Sequence, residues 1–410
     1  MYLFNIYGEK MTKTSDQLMD MEHRYGAHNY HPLEVVISKA DGIWVWDPEG
    51  KKYLDCLSAY SAVNQGHRHP KIIQALKDQA DVLTLTSRAF FNDKWPVFAQ
   101  KLSNLTNKEL ILPMNTGAEA VETAIKLMRR WGYEKKGVEK NKAEIIVMED
   151  NFHGRTTTIV SFSTDPDAYN NYGPYTPGFK VVKYNDIKAV EEAINENTVG
   201  ILTEPIQGEA GVVVPEDGYL KELKEICEKN NMLLAIDEVQ TGFCRTGKVF
   251  AFMHEDIEPD IIVMGKALGG GVFPVSGIAA NKDIMSVFTP GSHGSTFGGN
   301  PLGCAVAMAA IDVLVEEKLA DRAEELGAYF RKRLVELNSD KIKLVRGKGL
   351  LIGVVLNESA GKARQYTTKL KERGVLAKET HDWIIRFAPP LIISKRDIDW
   401  VVEIIEDVLN

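Results

Sequence analysis

Two residues carry the most chemical information in this chain. The apolar run Met232–Ile236 ends in Asp237, with Val239 and Gln240 just beyond it. The run Ile261–Met264 ends in Gly265 and Lys266, ahead of the glycines 269 to 271. Both runs read as short buried strands of a parallel sheet with polar residues at their carboxyl ends, where open α/β sheets bind ligands. Taken singly, an aspartate after a strand is an ordinary N-cap or turn residue, and a lysine in a glycine-rich loop is ordinarily solvated. Together, on adjacent strand ends, they do more. The amine can form a Schiff base, and the acid can keep a pyridine nitrogen protonated so that the ring accepts electrons. Those are the requirements of pyridoxal 5'-phosphate.

Further segments fit such a site. Asn115–Ala120 follows the apolar Leu110–Leu112 and opens a helical run, so this small-residue turn would present free backbone N–H groups to an anion, and Thr116 could add a hydroxyl. The competing reading is plain N-capping, with Glu119 and Glu122 suited to the helix dipole. Phe152 follows the strand-like Glu144–Met148. It could stack on one face of a pyridine ring while Val239 presses on the other, although a single phenylalanine is more often core. Arg155 beside it could fork onto a carboxylate. Glu204 and Glu209 put two acids in or near the same cleft. Tyr30 and Tyr60 are candidate substrate hydroxyls, or simply loop and core tyrosines. Gly294–Pro301 is a tight polar loop in which Thr296 could supply a second phosphate donor, or whose glycines serve turn geometry alone.

The elements that must position these residues follow from the hydropathy pattern. Residues 34–57 alternate apolar and polar around Gly42 and Gly50, which predicts a small antiparallel meander. From about residue 70 helical and strand patterns alternate. Helices are expected to start near Pro70, Trp95, Gly117, Asp186, Gly218 and Asn300. Strands are expected at Leu110–Leu112, Glu144–Met148, Thr158–Ser163, Lys180–Val182, Gly200–Thr203, Leu233–Ile236, Ile261–Met264 and Val275–Ala279, the last running against the others. This predicts an α/β fold with a mostly parallel sheet and helices on both faces. Helices over 320–338, 360–373 and 395–409 with strands Val345–Val355 and Trp383–Phe387 predict a smaller α+β unit. The expected division is an N-terminal segment (1–60), a large domain (61–300) and a small C-terminal domain (301–410). Met1–Asp20 reads as a loosely structured start.

The chain has 410 residues, 44% hydrophobic and 26% charged, with a net charge of −8. That is a globular composition, and mixed charge of this sign argues against nucleic acid or an anionic membrane as partner. No apolar stretch approaches the ~20 residues of a membrane span. The four cysteines, Cys56, Cys227, Cys244 and Cys304, are far apart, which suits free thiols in a reducing cytoplasm. His67 and His69 lack accompanying carboxylates or thiols in sequence, so no metal site is expected.

The strings Tyr25–Pro32, Tyr60–His67, Glu204–Val214 and Ile385–Pro390, with those above, resemble the class III aminotransferases of the fold-type I pyridoxal phosphate enzymes. Within that class they are most similar to the ornithine δ-aminotransferases. The resemblance runs from about Tyr25 to the C-terminus. It implies the seven-stranded-type sheet of that fold and roles for individual residues. Lys266 would be the Schiff-base lysine and proton shuttle, and Asp237 the partner of the pyridine nitrogen. Gln240 would meet the ring hydroxyl, with Phe152 and Val239 stacking and Gly117 and Ala118 on the phosphate. Thr296 would reach the phosphate of a neighbouring subunit, making at least a homodimer. Tyr30 and Arg155 would hold the α-amino and α-carboxylate ends of ornithine, and Tyr60 would shape that pocket. Glu209 and Arg386 would form a switchable ion pair, with 2-oxoglutarate as acceptor. His153 stands where a tryptophan occurs in some members, with no change of activity expected. The alternatives are an acetylornithine or 4-aminobutyrate aminotransferase, against which Tyr30 and Tyr60 weigh, or an aminomutase of the same fold.

Overall fold

A computed structural model of the chain describes residues 13–410. Its centre is a seven-stranded sheet, in spatial order Leu110–Met114, Ser276–Ala280, Ile261–Met264, Leu233–Asp237, Thr198–Thr203, Glu144–Met148 and Phe179–Val182. All pairings are parallel except those of Ser276–Ala280, which runs against both neighbours as the pattern predicted. The middle strands are buried on both faces, hence their unbroken runs of Ile, Leu and Val. The helix Gly117–Trp131 packs its alanine- and leucine-rich stripe on one face. The helices Tyr219–Lys229 and Pro301–Glu316 belong to the core on the other.

The segment 34–57 forms the expected meander, Lys39–Asp41, Trp44–Trp46 and Lys52–Asp55. Its last strand pairs in parallel with Val375–Leu376, a two-residue strand too short to read from sequence. That pairing ties the N-terminal meander to the C-terminal unit. There, the run 345–355 is a hairpin, Ile342–Lys348 against Leu351–Leu356, which continues into Ile384–Phe387 and Lys378–Thr380. The helices Leu319–Glu336, Ala363–Glu372 and Lys395–Leu409 complete it.

The expected single strand Val345–Val355 is thus corrected to two, split by a turn in which Gly349 takes a φ of 52°, and two further expectations are corrected. Thr158–Ser163 is not a strand: Thr157–Val160 is a single helical turn. The β-branched composition suggested a strand. But Thr156 Oγ caps the turn by accepting the Ile159 N–H, and its hydroxyl is anchored on Glu122. The loosely structured start ends before Asp20. Ser15–Tyr25 is a helix opened by a capping box between Thr14 and Gln17, and Ser15 N–H donates to Glu49 at 2.7 Å. The rest of that expectation, residues 1–12, lies outside the described residues. Among the described residues no helix is long and apolar enough to cross a membrane.

Candidate active site

The helix Gly117–Trp131 begins where its strand ends, at the carboxyl edge of the sheet. Thr116 is extended and its hydroxyl accepts the Glu119 N–H, while Glu119 Oε2 accepts the N–H groups of Thr116 at 2.8 Å and Asn115 at 3.1 Å. This capping box accounts for three donors of the turn. The N–H groups of Gly117 and Ala118 have no partner among the described residues. A Cβ on Gly117 would sit 2.9 Å from Val239 Cγ1, so the glycine lets the turn close on that side chain. The result is two aligned, unpaired donors at a helix N-terminus, which is an anion seat.

Asp237 ends the central strand and Lys266 follows the adjacent one. The Asp237 side chain is 5% exposed. One of its oxygens accepts the Val239 N–H at 3.0 Å and the other accepts His153 Nδ1–H at 2.7 Å. A carboxylate only accepts, so the proton sits on Nδ1. His153 is wholly buried, which by itself disfavours its charge. The hydrogen bond and charge of Asp237, with the charge of Glu204, outweigh that and raise its pKa. Lys266 sits in the left-handed region at φ 42°. Its amine makes no hydrogen bond or ion pair among the described residues. Burial, with help from Arg386, pulls its pKa down despite the acids Glu209, Asp237 and Glu204.

A cavity of about 200 Å³ collects these groups. Its lining includes Gly117, Ala118, Phe152, Asp237, Val239, Gln240 and Lys266, seven of the residues expected at the site. His153 and Glu204 line it as well. Glu204 accepts Phe152 N–H at 3.0 Å. Burial, with the charge of Asp237, pushes its pKa up to about 7 against the pull of His153 and two backbone N–H groups. Gln240 Oε1 is buried without a partner among the described residues. The groups present match the polar edges of pyridoxal phosphate: two N–H groups for the phosphate, an amine for the aldehyde, and an acid and an amide for the ring.

Arg386 and Glu209 meet beside the cavity, with Nη1 donating to Oε1 at 2.7 Å. Gln240 Nε2 donates to the same oxygen at 3.0 Å, which links the pair to the cavity wall. Burial opposes the Glu209 charge, but Arg386, Lys266 and Gln240 together hold its carboxyl below the ordinary range. The Tyr60 ring lies 5.0 Å from the Arg386 guanidinium carbon. Arg155 is exposed and leans over Phe152 at 5.6 Å. Tyr30 is 74% exposed. Thr296 is not in the cavity: it lines a separate open depression of about 530 Å³ with Thr86, Ser87 and Arg88. The paired histidines go elsewhere, His67 to Asp55 and His69 to Glu317. All four cysteines are free and buried.

The residue that sequence reasoning left without a role is His153, which instead grips Asp237. Nothing local in Asn151–Arg155 points to an acid 84 positions away.

The chain is similar to known proteins over nearly its whole length. The chain is 61% identical over 400 residues to an ornithine aminotransferase of Brevibacillus brevis, covering 98% of this chain and 99% of the relative. A crystal structure of ornithine aminotransferase from Toxoplasma gondii superposes with a TM-score of 0.95 at 45% identity, over 97% of this chain and 95% of that one. One of acetylornithine aminotransferase from Elizabethkingia anophelis gives 0.88 at 51% identity, over 97% and 99%. With the aminotransferase class-III model matching residues 25–409, the chain belongs to the class-III aminotransferases.

Proposed function

We propose that this aminotransferase moves the δ-amino group of L-ornithine to 2-oxoglutarate, giving glutamate 5-semialdehyde and glutamate in a ping-pong cycle. Its cofactor is pyridoxal 5'-phosphate. It works in the cytoplasm as a homodimer or a higher homo-oligomer built of dimers, with the three-part division 1–60, 61–300 and 301–410. The observation that carries the reading is the Arg386–Glu209 pair beside Lys266, faced by Tyr60.

When bound, the cofactor supplies an electron sink for the breaking C–H bond. The chain's own residues do the rest. Gly117 and Ala118 N–H groups would hold the phosphate, and Thr296 would serve the phosphate held by a second copy. Phe152 and Val239 would stack on the ring, Gln240 would meet the ring hydroxyl, and Asp237 would keep the ring nitrogen protonated. Lys266, whose pKa burial pulls down, would take the proton from the δ-carbon of ornithine.

Ornithine and 2-oxoglutarate must present opposite ends to one site. An unmasked Arg386 would seize the α-carboxylate of ornithine and offer the wrong amine. Glu209 masks it while Arg155 and Tyr30 hold the α-carboxylate and α-amine at a distance. For 2-oxoglutarate, Glu209 turns aside and Arg386 takes the carboxylate beside the keto group. A buried pair has little net stability, which suits a switch.

The second reading is an acetylornithine aminotransferase, favoured by the 51% identity to the Elizabethkingia anophelis structure of that name. Relative kcat/KM for ornithine and N-acetylornithine separates the two. Preference for the acetylated substrate would overturn the proposal. Turnover without a keto acid would point to an aminomutase instead. In a spectral titration of the loaded enzyme, ornithine should bleach the long-wavelength cofactor band and 2-oxoglutarate should restore it.

A further inference from the structure

Ser58, Ala59, Tyr60 and Ser61 have φ values of 51°, 46°, 59° and 73°. They form one turn of left-handed helix made entirely of non-glycine residues. In this region Cβ crowds the following carbonyl, so L-residues enter it singly, and rarely without a reason. Sustained strain of this kind persists only where the surroundings over-determine it.

The serine side chains do not supply the reason. Ser58 Oγ and Ser61 Oγ are both buried without a hydrogen-bond partner among the described residues. The turn is held from outside instead. Asp55 Oδ1 accepts the N–H groups of Leu57 and Ser58, each at 2.9 Å. The other Asp55 oxygen is paired with His67 at 2.8 Å. What the turn delivers is Tyr60, whose ring lies 5.0 Å from the Arg386 guanidinium carbon. A right-handed turn would send the Tyr60 Cα–Cβ bond in another direction and take the ring off that guanidinium.

We infer that the left-handed turn Ser58–Ser61, braced by Asp55, is a positioning device for amine selection. It holds the Tyr60 ring on Arg386, and Tyr60 in turn keeps Arg386 directed at Glu209. The inference rests on the masking of Arg386 proposed above. Ala59 reports on it cleanly, because its side chain is exposed and only its backbone preference matters.

The test uses the cofactor-loaded enzyme. Selectivity is the ratio of kcat/KM for ornithine to that for glutamate as α-amino donor. Melting temperature is read in parallel. Ala59→Val adds a β-branched residue where φ is positive and should lower the ratio roughly tenfold as the turn relaxes. Ala59→Gly accepts the same φ without strain and should keep the wild-type ratio. If Ala59→Val does not fold, Asp55→Ala carries the same expectation, with Ala59→Gly added to restore the ratio. A lower melting temperature at unchanged ratio in the Val or Asp55 variant would make the turn merely structural and overturn the inference. So would a Gly variant that loses the ratio as the Val variant does. If the wild-type enzyme itself fails to prefer ornithine over N-acetylornithine, the substrate assignment has failed rather than the turn.

Discussion

Glu209→Ala should destabilise the protein far more than a typical surface charge deletion. The Arg386 side chain is 2% exposed, and Glu209 is its carboxylate partner. Beyond that carboxylate, among the described residues Nη1 has only a 3.3 Å contact to the Gly208 carbonyl, and Nε has no partner. Truncation therefore strands a guanidinium in a nearly dry wall. Removing one partner of a buried pair costs ~3–5 kcal/mol. Glu209 retains 28% side-chain exposure, so water can partly replace it. The expected loss is at the lower end, about 3 kcal/mol. Adding Arg386→Met removes the stranded charge, and the double variant should recover most of that loss. The assay is urea unfolding at fixed protein concentration, read as a midpoint shift at constant slope. A loss under about 1 kcal/mol, the range of exposed pairs, would refute the view that a desolvated guanidinium is being masked.

Three further outcomes follow from the same geometry. Lys266→Ala should still take up pyridoxal phosphate but show no steady turnover, and detectable steady catalysis would contradict its role as proton carrier. His153→Leu leaves one Asp237 oxygen without its 2.7 Å donor, so the cofactor should dissociate more readily in equilibrium dialysis; unchanged retention would show that Asp237 needs no such support. Glu204 holds its proton up to about 7 in the folded chain against 4.5 as its ordinary value. Between those values the unfolded chain binds fewer protons, so the contribution of this group to stability falls as pH rises. The melting temperature of Glu204→Gln, taken relative to wild type, should therefore rise from about pH 5 to about pH 8, and a flat difference would refute the buried neutral acid.

Much of the fold was legible locally. Runs such as Ile145–Met148 and Ile261–Met264 are apolar throughout because both sheet faces are covered, and their polar ends mark the ligand edge. One exception, Thr158–Ser163, failed because a capped turn and a strand share β-branched residues there; Thr156 decided it through a side-chain bond. The strand Val375–Leu376 was not legible because two residues hold no period, and its partner lies more than 300 residues earlier.

The order of residues alone accounted for the site's chemical inventory: which strand tips carry Asp237 and Lys266, and which turn frees two N–H groups for an anion. Those facts follow from hydropathy, capping and glycine placement, all of which act within a few residues. Folding added the pairings between distant segments. It set His153 on Asp237, Gln240 on Glu209 and Tyr60 over Arg386, and it left Thr296 outside the cavity. It also wound Ser58–Ser61 left-handed, against the preference of every residue in the turn. Local preference would give the opposite hand there. Asp55, which braces the strained turn, lies within three residues of it, but the His67 that pairs with Asp55 and the Arg386 that meets the Tyr60 ring come from further along the chain, and no short window of sequence contains them all.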